Sequence, residues 1–166
     1  LARQAAEAGA RLVLTARRES ELERVRQACP DPSRVAVLAA DLLAEDAEAL
    51  AVRAEAFFGA IDVLVNNAGV TQRATVLETQ MATYRRIFEL DTFVPIALTK
   101  ALLPGMVERG GGHVVTVSSV VGYISSPGRS GYAAAKHALH GFFDAARAEH
   151  HRDGVLFTLA CPGFVN

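Results

Sequence analysis

The sequence has 166 residues, of which 51% are hydrophobic and 21% charged, and its formal net charge is −1. This balance is typical of one soluble globular domain, and the near-zero charge argues against nucleic acid as a partner. No uninterrupted apolar run reaches about 18 residues, so we expect no membrane span. Cys29 and Cys161 have no disulfide or metal spacing, and we expect free thiols in a reducing, cytoplasmic compartment. The five histidines form no metal-ligand pattern, so we interpret them as surface or locally bonded imidazoles.

Five short apolar runs rich in valine and leucine alternate with longer segments of helical spacing. Runs of this kind are typical of strands that are buried on both faces of a parallel sheet. The predicted strands, in chain order, cover residues 11–16, 34–40, 61–66, 113–119 and 155–160. Because helical segments separate them, we predict an α/β fold with a doubly wound, Rossmann-type parallel sheet, in a single domain over residues 1–166.

The helical segments carry their own start and stop signals. We predict helices over approximately 19–28, 44–58, 79–107 and 132–150. Gly59 suits the end of the second of these helices. Pro95 lies inside the third and predicts a kink or a shifted hydrogen-bond register, because proline has no N–H to donate.

In sheets of this type, ligands bind beyond the carboxyl ends of the strands. A domain that binds NAD usually has an acidic residue at this strand end, but here Ala16 stands at the end of the first predicted strand and Arg17 follows it. A guanidinium group can donate two hydrogen bonds to a 2′-phosphate. Arg17 therefore favours NADP(H), with NAD(H) as the second choice. The alternative is an exposed arginine at the entry to a helix.

Polar and small residues follow the next two predicted strands. Asp41 follows the second, where it can accept a hydrogen bond from an adenine amine, cap a helix that begins near Ala44, or do both. The third strand is followed by a segment through which backbone can approach a ligand closely, while amide side chains join neighbouring strands. This segment consists of Asn66, Asn67, Ala68 and Gly69. An ordinary loop is the alternative.

Three residues near the fourth predicted strand form a candidate catalytic set. Ser119 ends the strand, and Tyr132 and Lys136 follow at a spacing that puts both on one helix face. A lysine cation one turn away favours the phenolate, so the tyrosine can exchange a proton near neutral pH. The serine hydroxyl can donate to a carbonyl or alkoxide oxygen. The alternative is that Tyr132 and Lys136 are ordinary surface residues of the helix.

The fifth predicted strand is followed by Pro162 and Gly163, a sharp exit against which a flat ring can lie; an ordinary turn is the alternative. In order and spacing, the segments NNAG, Ser119, YAAAK and PG resemble the short-chain dehydrogenase/reductase family. The stretches LTKALLPGM and SSVVGYISSPGRSGYAAAKHALHGFFDAARAE look most like its dehydrogenase/reductase member 7 branch.

The resemblance implies a role for each matching residue. Ser119 would hold the substrate oxygen, Tyr132 would be the acid–base residue, and Lys136 would bind the nicotinamide ribose. The segment from Asn66 to Gly69 would flank the adenosine. The residues that would border the nicotinamide are Pro162, Gly163 and Val165.

The sequence departs from the family pattern in three ways. The opening strand with its glycine-rich phosphate loop and the C-terminal part of the family are both missing, so we expect a sheet that is incomplete at both ends. Asp91 stands where the family has the asparagine of its catalytic tetrad, which supports a proton relay through water. We therefore include Asp91 as a candidate catalytic residue that either preserves the relay or alters the electrostatics around Lys136.

These residues together predict an NADP(H)-dependent oxidoreductase that interconverts a carbonyl and a secondary alcohol. Its partners would be a small carbonyl or alcohol substrate and, by resemblance, further copies of itself in a homodimer or homotetramer. Tyr123 and Ile124 lie in the stretch that we expect to line one wall of the substrate pocket. A non-catalytic nucleotide-binding or scaffold protein on the same fold is the alternative. Epimerisation on the same scaffold is a third hypothesis.

Overall fold

The structure, a computed structural model, describes residues 1–163. It divides the chain into two compact units, Leu1–Ala60 and Ile61–Asn166. Val165, which the sequence analysis includes among the cofactor residues, lies outside the described residues. Each unit contains parallel strands joined through helices.

The first unit contains a two-stranded parallel sheet. In chain order its elements are α1 (Ala2–Glu7), β1 (Leu12–Ala16), α2 (Glu19–Gln27), β2 (Val35–Ala39) and α3 (Ala47–Phe58). Strand β1 pairs with β2 from Leu12 opposite Val35 to Ala16 opposite Ala39. Helix α3 ends at Gly59, whose φ of 85° lies in the left-handed region, so the predicted stop is confirmed.

The second unit contains a three-stranded parallel sheet in the order β3-β4-β5. Its elements are β3 (Val63–Asn66), α4 (Met81–Phe88), a π-helical turn (Glu89–Phe93), α5 (Val94–Glu108), β4 (Gly112–Val117), a 3-10 turn (Val120–Gly122), α6 (Ser130–Glu149) and β5 (Val155–Ala160). All five predicted strands are therefore confirmed, with ends that differ by no more than two residues.

The core of the second unit lies between one face of the sheet and helices α4, α5 and α6. Leu139 and Phe143 of α6 are at most 1% exposed, and the ring of Phe143 contacts Phe157 of β5. Burying a side chain of this size contributes roughly 1.5–3 kcal/mol to stability. This packing fixes α6 against the strands whose carboxyl ends carry the candidate site.

The opposite face of this sheet is more open than the sequence predicted. Val63 and Val65 of β3 are 53% and 47% exposed, and Leu156 of β5 is 62% exposed. These side chains point away from α5 and α6, because successive residues of a strand face opposite sides of the sheet. Within this unit the expectation that these strands are buried on both faces is therefore wrong.

Pro95 shifts the hydrogen-bond register of the long helix, as predicted. It is the second residue of α5, directly after the π-helical turn. The proline ring would clash with the carbonyl of Asp91 four residues earlier, and it offers that carbonyl no N–H. The wider turn accommodates the missing bond and places the Asp91 side chain in the core, where it is fully buried.

The continuous helical stretch Met81–Glu108 is long and apolar enough to cross a membrane, with a mean hydropathy of 1.3 in its most apolar window. One third of that window is buried, and the buried side chains of the stretch include Ile87, Leu102 and Met106. The expectation that the chain has no membrane span stays a prediction.

Candidate active site

Helix α6 places Tyr132 and Lys136 together. The Lys136 ammonium lies 5.5 Å from the centre of the Tyr132 ring, so the two side chains share a helix face as the spacing predicted. Lys136 is 5% exposed, and its Nζ donates a hydrogen bond of 3.1 Å to the carbonyl of Val117, the last residue of β4. The cation is thus held at the carboxyl end of the central strand.

Ser119 lies just beyond the same strand end. Its backbone is extended, and its Oγ accepts a hydrogen bond of 3.2 Å from the N–H of Val121 in the following 3-10 turn. The Val120 N–H donates to the carbonyl of Pro162 at 3.2 Å. This bond brings Pro162, and with it Gly163, beside the turn that Ser119 begins.

Asp91 is the counter-ion of Lys136. Its Oδ2 lies 3.4 Å from Lys136 Nζ, and its Oδ1 accepts a 2.8 Å hydrogen bond from the Val70 N–H. The pKa of Asp91 is raised above 3.8, chiefly because burial disfavours the carboxylate, while the Val70 bond and Lys136 act in the opposite direction. A Cβ on Gly69 would lie 2.8 Å from Asp91 Oδ2, so the glycine makes room for the carboxyl group.

Asn66 joins two neighbouring strands, as the sequence predicted, and also bonds a helix. Its Nδ2 donates to Thr116 Oγ1 at 3.2 Å and to Thr99 Oγ1 at 3.4 Å, which connects β3 with β4 and α5. The side chain is buried, and its Oδ1 has no hydrogen-bond partner among the described residues. The next three residues, Asn67, Ala68 and Gly69, are exposed beyond the end of β3.

Gln72 fixes the start of the helix that carries Tyr132, a contact that sequence analysis missed. The buried Gln72 accepts a hydrogen bond from the Gly131 N–H at 3.0 Å and donates to Ser130 Oγ at 3.3 Å. It thereby satisfies one N–H group, that of Gly131, at the N-terminus of α6, where Arg129 supplies no side-chain cap. Because 59 positions separate Gln72 from Gly131, no local sequence signal marks the contact.

His140 is the second residue that sequence analysis missed. It is 9% exposed rather than on the surface, and its Nε2 lies 2.8 Å from Ser118 Oγ. The interpretation of the histidines as surface imidazoles is therefore wrong for His140, because α6 turns this side chain toward the end of β4. The alternative, a bonded imidazole, agrees with its contact with Ser118. The spacing of four residues between Tyr132, Lys136 and His140 was an available signal.

The first unit contains the two remaining candidates. Arg17 follows β1 and is exposed, and Asp41 follows β2 and is exposed. Both lie at the carboxyl edge of the β1–β2 sheet. Asp41 Oδ1 accepts from the Leu43 N–H at 3.1 Å, so it caps a turn. Helix α3 begins at Ala47 and is capped by Asp46, so the predicted capping of a helix by Asp41 is wrong. The predicted contact of Asp41 with adenine stays a prediction.

These residues fit a dinucleotide cofactor better than a metal. No group of three or more histidine, cysteine, aspartate or glutamate side chains among residues 1–163 is placed to hold a metal ion. In the second unit, by contrast, the unpartnered Asn66 Oδ1, the exposed backbone of Asn67 to Gly69 and the buried cation of Lys136 lie at strand ends. Polar groups at such ends are suited to bind a nucleotide.

Comparison with known proteins identifies the family and the fold of this chain. A sequence model described as short chain dehydrogenase matches residues 1–166. The Homo sapiens protein called dehydrogenase/reductase SDR family member 7 is 42% identical over 172 residues, which covers 98% of this chain and 50% of that protein. The chain thus spans about half the length of the curated relatives it matches.

Solved structures support the same assignment. A short-chain dehydrogenase from Streptomyces avermitilis is 38% identical, with a TM-score of 0.92 over 98% of this chain and 60% of that one. A metagenomic short-chain oxidoreductase in complex with NADP is 31% identical, with a TM-score of 0.90 over 99% of this chain and 76% of that one. The predicted Rossmann-type α/β fold is therefore confirmed. The chain belongs to the short-chain dehydrogenase/reductase family and resembles its member 7 branch.

Proposed function

We propose that this protein is an NADP(H)-dependent oxidoreductase that interconverts a carbonyl and a secondary alcohol. The observation that carries the proposal is the buried Lys136 cation, which is held between the end of β4 and Asp91 and lies 5.5 Å from the centre of the Tyr132 ring. A cation in this position is suited to activate a phenol. Family membership supports an oxidoreductase activity.

In the proposed reduction, the hydroxyl of Tyr132 gives its proton to the substrate oxygen while the carbonyl carbon receives hydride. In the reverse direction, the phenolate takes the proton from the alcohol as the carbon loses hydride. NADP(H), when bound, supplies or accepts that hydride.

Ser119 and Lys136 assist this proton transfer in different ways. The Ser119 Oγ accepts from the Val121 N–H, which leaves its own hydrogen to donate to the substrate oxygen. The Lys136 cation stabilises negative charge on the phenolate. Asp91 fixes the position of that cation, so we assign it a positioning role in place of the asparagine of the family tetrad.

NADP(H) is the proposed cofactor because Arg17 is exposed at the end of β1, where no acidic side chain follows the strand. The guanidinium would bind the 2′-phosphate, and Asp41 would contact the adenine. In the second unit, the segment from Asn66 to Gly69 would flank the adenosine, Lys136 would bind the nicotinamide ribose, and Pro162 with Gly163 would border the ring. One related structure was solved in complex with NADP, which supports this choice.

The test is Tyr132→Phe in protein made from the complete reading frame, assayed with NADPH and a panel of aldehydes and ketones. We expect kcat to fall by about a hundredfold or more, because general acid–base catalysis contributes on this scale. The dissociation constant of NADPH should not change. Tyr84→Phe is the matched control, since its hydroxyl is bonded to Ser130 and has no role in proton transfer.

Two other outcomes would overturn the proposal. Substantial turnover by Tyr132→Phe would remove the tyrosine from the reaction. Wild-type protein that binds NADPH but oxidises none of it with any carbonyl would favour the non-catalytic nucleotide-binding protein instead.

A further inference from the structure

Three polar side chains follow one another along a single face of α6. Tyr132, Lys136 and His140 are four residues apart, and side chains at this spacing lie above one another on a helix. The first two belong to the proposed catalytic set. The third, His140, continues the same face into the core, where it is 9% exposed.

Lys136 and His140 contact consecutive residues at the end of β4. Lys136 Nζ donates to the Val117 carbonyl at 3.1 Å, and His140 Nε2 lies 2.8 Å from Ser118 Oγ. The main chain of Ser118 is bonded as well, because its N–H donates to the carbonyl of Ala160 at 2.8 Å. The residue directly before Ser119 is therefore held by its backbone and by its side chain.

The turn that Ser119 caps packs directly on this pair. A Cβ on Gly122 would lie 2.6 Å from His140 Nε2 and 2.9 Å from Ser118 Oγ, so the turn approaches as closely as glycine permits. The Tyr123 ring meets the imidazole edge-on, with centroids 4.3 Å apart and planes at 81°. His140 thus lies against residues on both sides of Ser119, namely Ser118 before it and Gly122 and Tyr123 after it.

We propose that His140 is a positioning residue for the reaction: its neutral imidazole bonds Ser118 and thereby fixes the segment that presents Ser119 and Tyr123 to the substrate. This inference rests on the proposed function, because it assigns His140 to the geometry of the substrate-binding serine. His140 itself touches neither substrate nor cofactor in this arrangement. It acts through the end of β4.

The surroundings of the imidazole keep it neutral. Burial lowers the pKa of His140 below 6.5; Asp144 on the same helix opposes this shift, and His137 adds to it. The Cys161 thiol, 3.8 Å from Nε2, and the Tyr123 ring are the other titratable groups that face it. A proton taken up at lower pH would place a cation in this buried site, so we expect the contact to fail as the pH falls below 6.5.

The first experiment compares His140→Leu with His140→Gln in protein from the complete reading frame. Leucine removes the polar atoms at similar volume, whereas the glutamine amide can still bond Ser118. We expect His140→Leu to lower kcat by about tenfold or more without changing NADPH affinity, because small misplacements of reacting groups are costly. The kcat of His140→Gln should stay close to that of the wild-type protein. The exposed His137→Gln is the control and should leave kcat unchanged.

The second experiment separates positioning from folding. His140→Leu leaves the buried Ser118 hydroxyl without a partner, which destabilises the protein, and Ser118→Ala in the same chain removes that hydroxyl. We expect the double variant to regain thermal stability while its kcat stays low. Recovery of kcat together with stability would reduce His140 to a structural role and overturn the inference.

The pH dependence gives a third readout. The kcat of the wild-type protein should fall as the pH decreases below 6.5, and His140→Gln should lack this loss. If the kcat of His140→Gln falls below pH 6.5 as steeply as that of the wild-type protein, the inference is contradicted. Wild-type protein without turnover overturns the proposed function as well, whereas active wild-type protein with an equally active His140→Leu variant overturns this inference alone.

Discussion

The two compact units fix their strand-end residues in different ways. In Leu1–Ala60, Arg17 and Asp41 are exposed, and the bond that Asp41 Oδ1 accepts comes from Leu43, two residues away. In Ile61–Asn166, the side chains of Asn66, Asp91 and Lys136 are at most 6% exposed. Their hydrogen bonds join residues that are between 19 and 50 positions apart.

The two units also differ in how far their ion pairs are exposed to solvent. Those of the first unit, such as Arg24–Glu21, are exposed and contribute little to stability. The Asp91–Lys136 pair of the second unit is buried, so each partner depends on the other. The groups proposed for proton transfer are therefore built into the core, whereas the residue proposed to select the cofactor can change at little cost to the fold. Three substitutions, in order of decreasing effect on the free energy of unfolding, test this contrast.

Asp91→Leu should have the largest effect. It leaves the buried Lys136 cation without a counter-ion and the Val70 N–H without an acceptor, and we expect a loss of about 3–5 kcal/mol in chemical denaturation. Asp91→Asn keeps an oxygen for Val70 and should lose less. Equal losses in the two variants would show that the oxygen offered to the Val70 N–H adds no stability beyond that of the Asp91 charge.

The Asp91 carboxyl also predicts a pH effect with a definite sign. Because burial raises its pKa above 3.8 in the folded state, the folded protein holds the proton more tightly than the unfolded chain. The contribution of this group to stability is complete below pH 3.8 and is lost as the pH rises through the raised pKa. The stability of Asp91→Asn relative to wild type should therefore increase with pH over that range, measured by urea denaturation at several pH values.

Gly69→Ala should have an intermediate effect. The new methyl group would lie 2.8 Å from Asp91 Oδ2, and the carboxyl group is already held by Val70 and Lys136. We expect a loss of about 1–3 kcal/mol in thermal or urea unfolding. Gly141→Ala is the matched control, because a Cβ there meets nothing within 4 Å and alanine favours the helix. A Gly69→Ala variant as stable as wild type would mean that the carboxyl group moves without cost.

Arg17→Ala should change the free energy of unfolding least, by less than about 0.5 kcal/mol, because the side chain is exposed. Its effect should instead be on cofactor preference: the dissociation constant of NADPH should rise by about tenfold to a hundredfold, since a hydrogen bond to a charged group is lost. The dissociation constant of NADH should stay unchanged. Calorimetry or fluorescence titration can measure both constants. An equal loss for both cofactors would assign Arg17 to a contact other than the 2′-phosphate.

Several features could be predicted from the sequence because they depend on residues close together in the chain. Apolar runs located all five strands, Gly59 ended its helix, and Pro95 marked the shifted register. Openness of the β3 and β5 face could not be predicted in the same way. A valine-rich run has the same sequence pattern whether helices cover one face of the sheet or both faces.

For the candidate site, the sequence by itself determined which residues share a helix face or a strand end: Tyr132 with Lys136, and Ser119 after β4. Only the tertiary structure decided which distant residues hold them there, namely Asp91 against Lys136, Gln72 at the start of α6, and His140 against Ser118. The spacing of residues along a helix or strand is a local property of the backbone. A buried hydrogen bond between residues 22 to 59 positions apart depends on how the elements pack, and no short stretch of sequence contains that information.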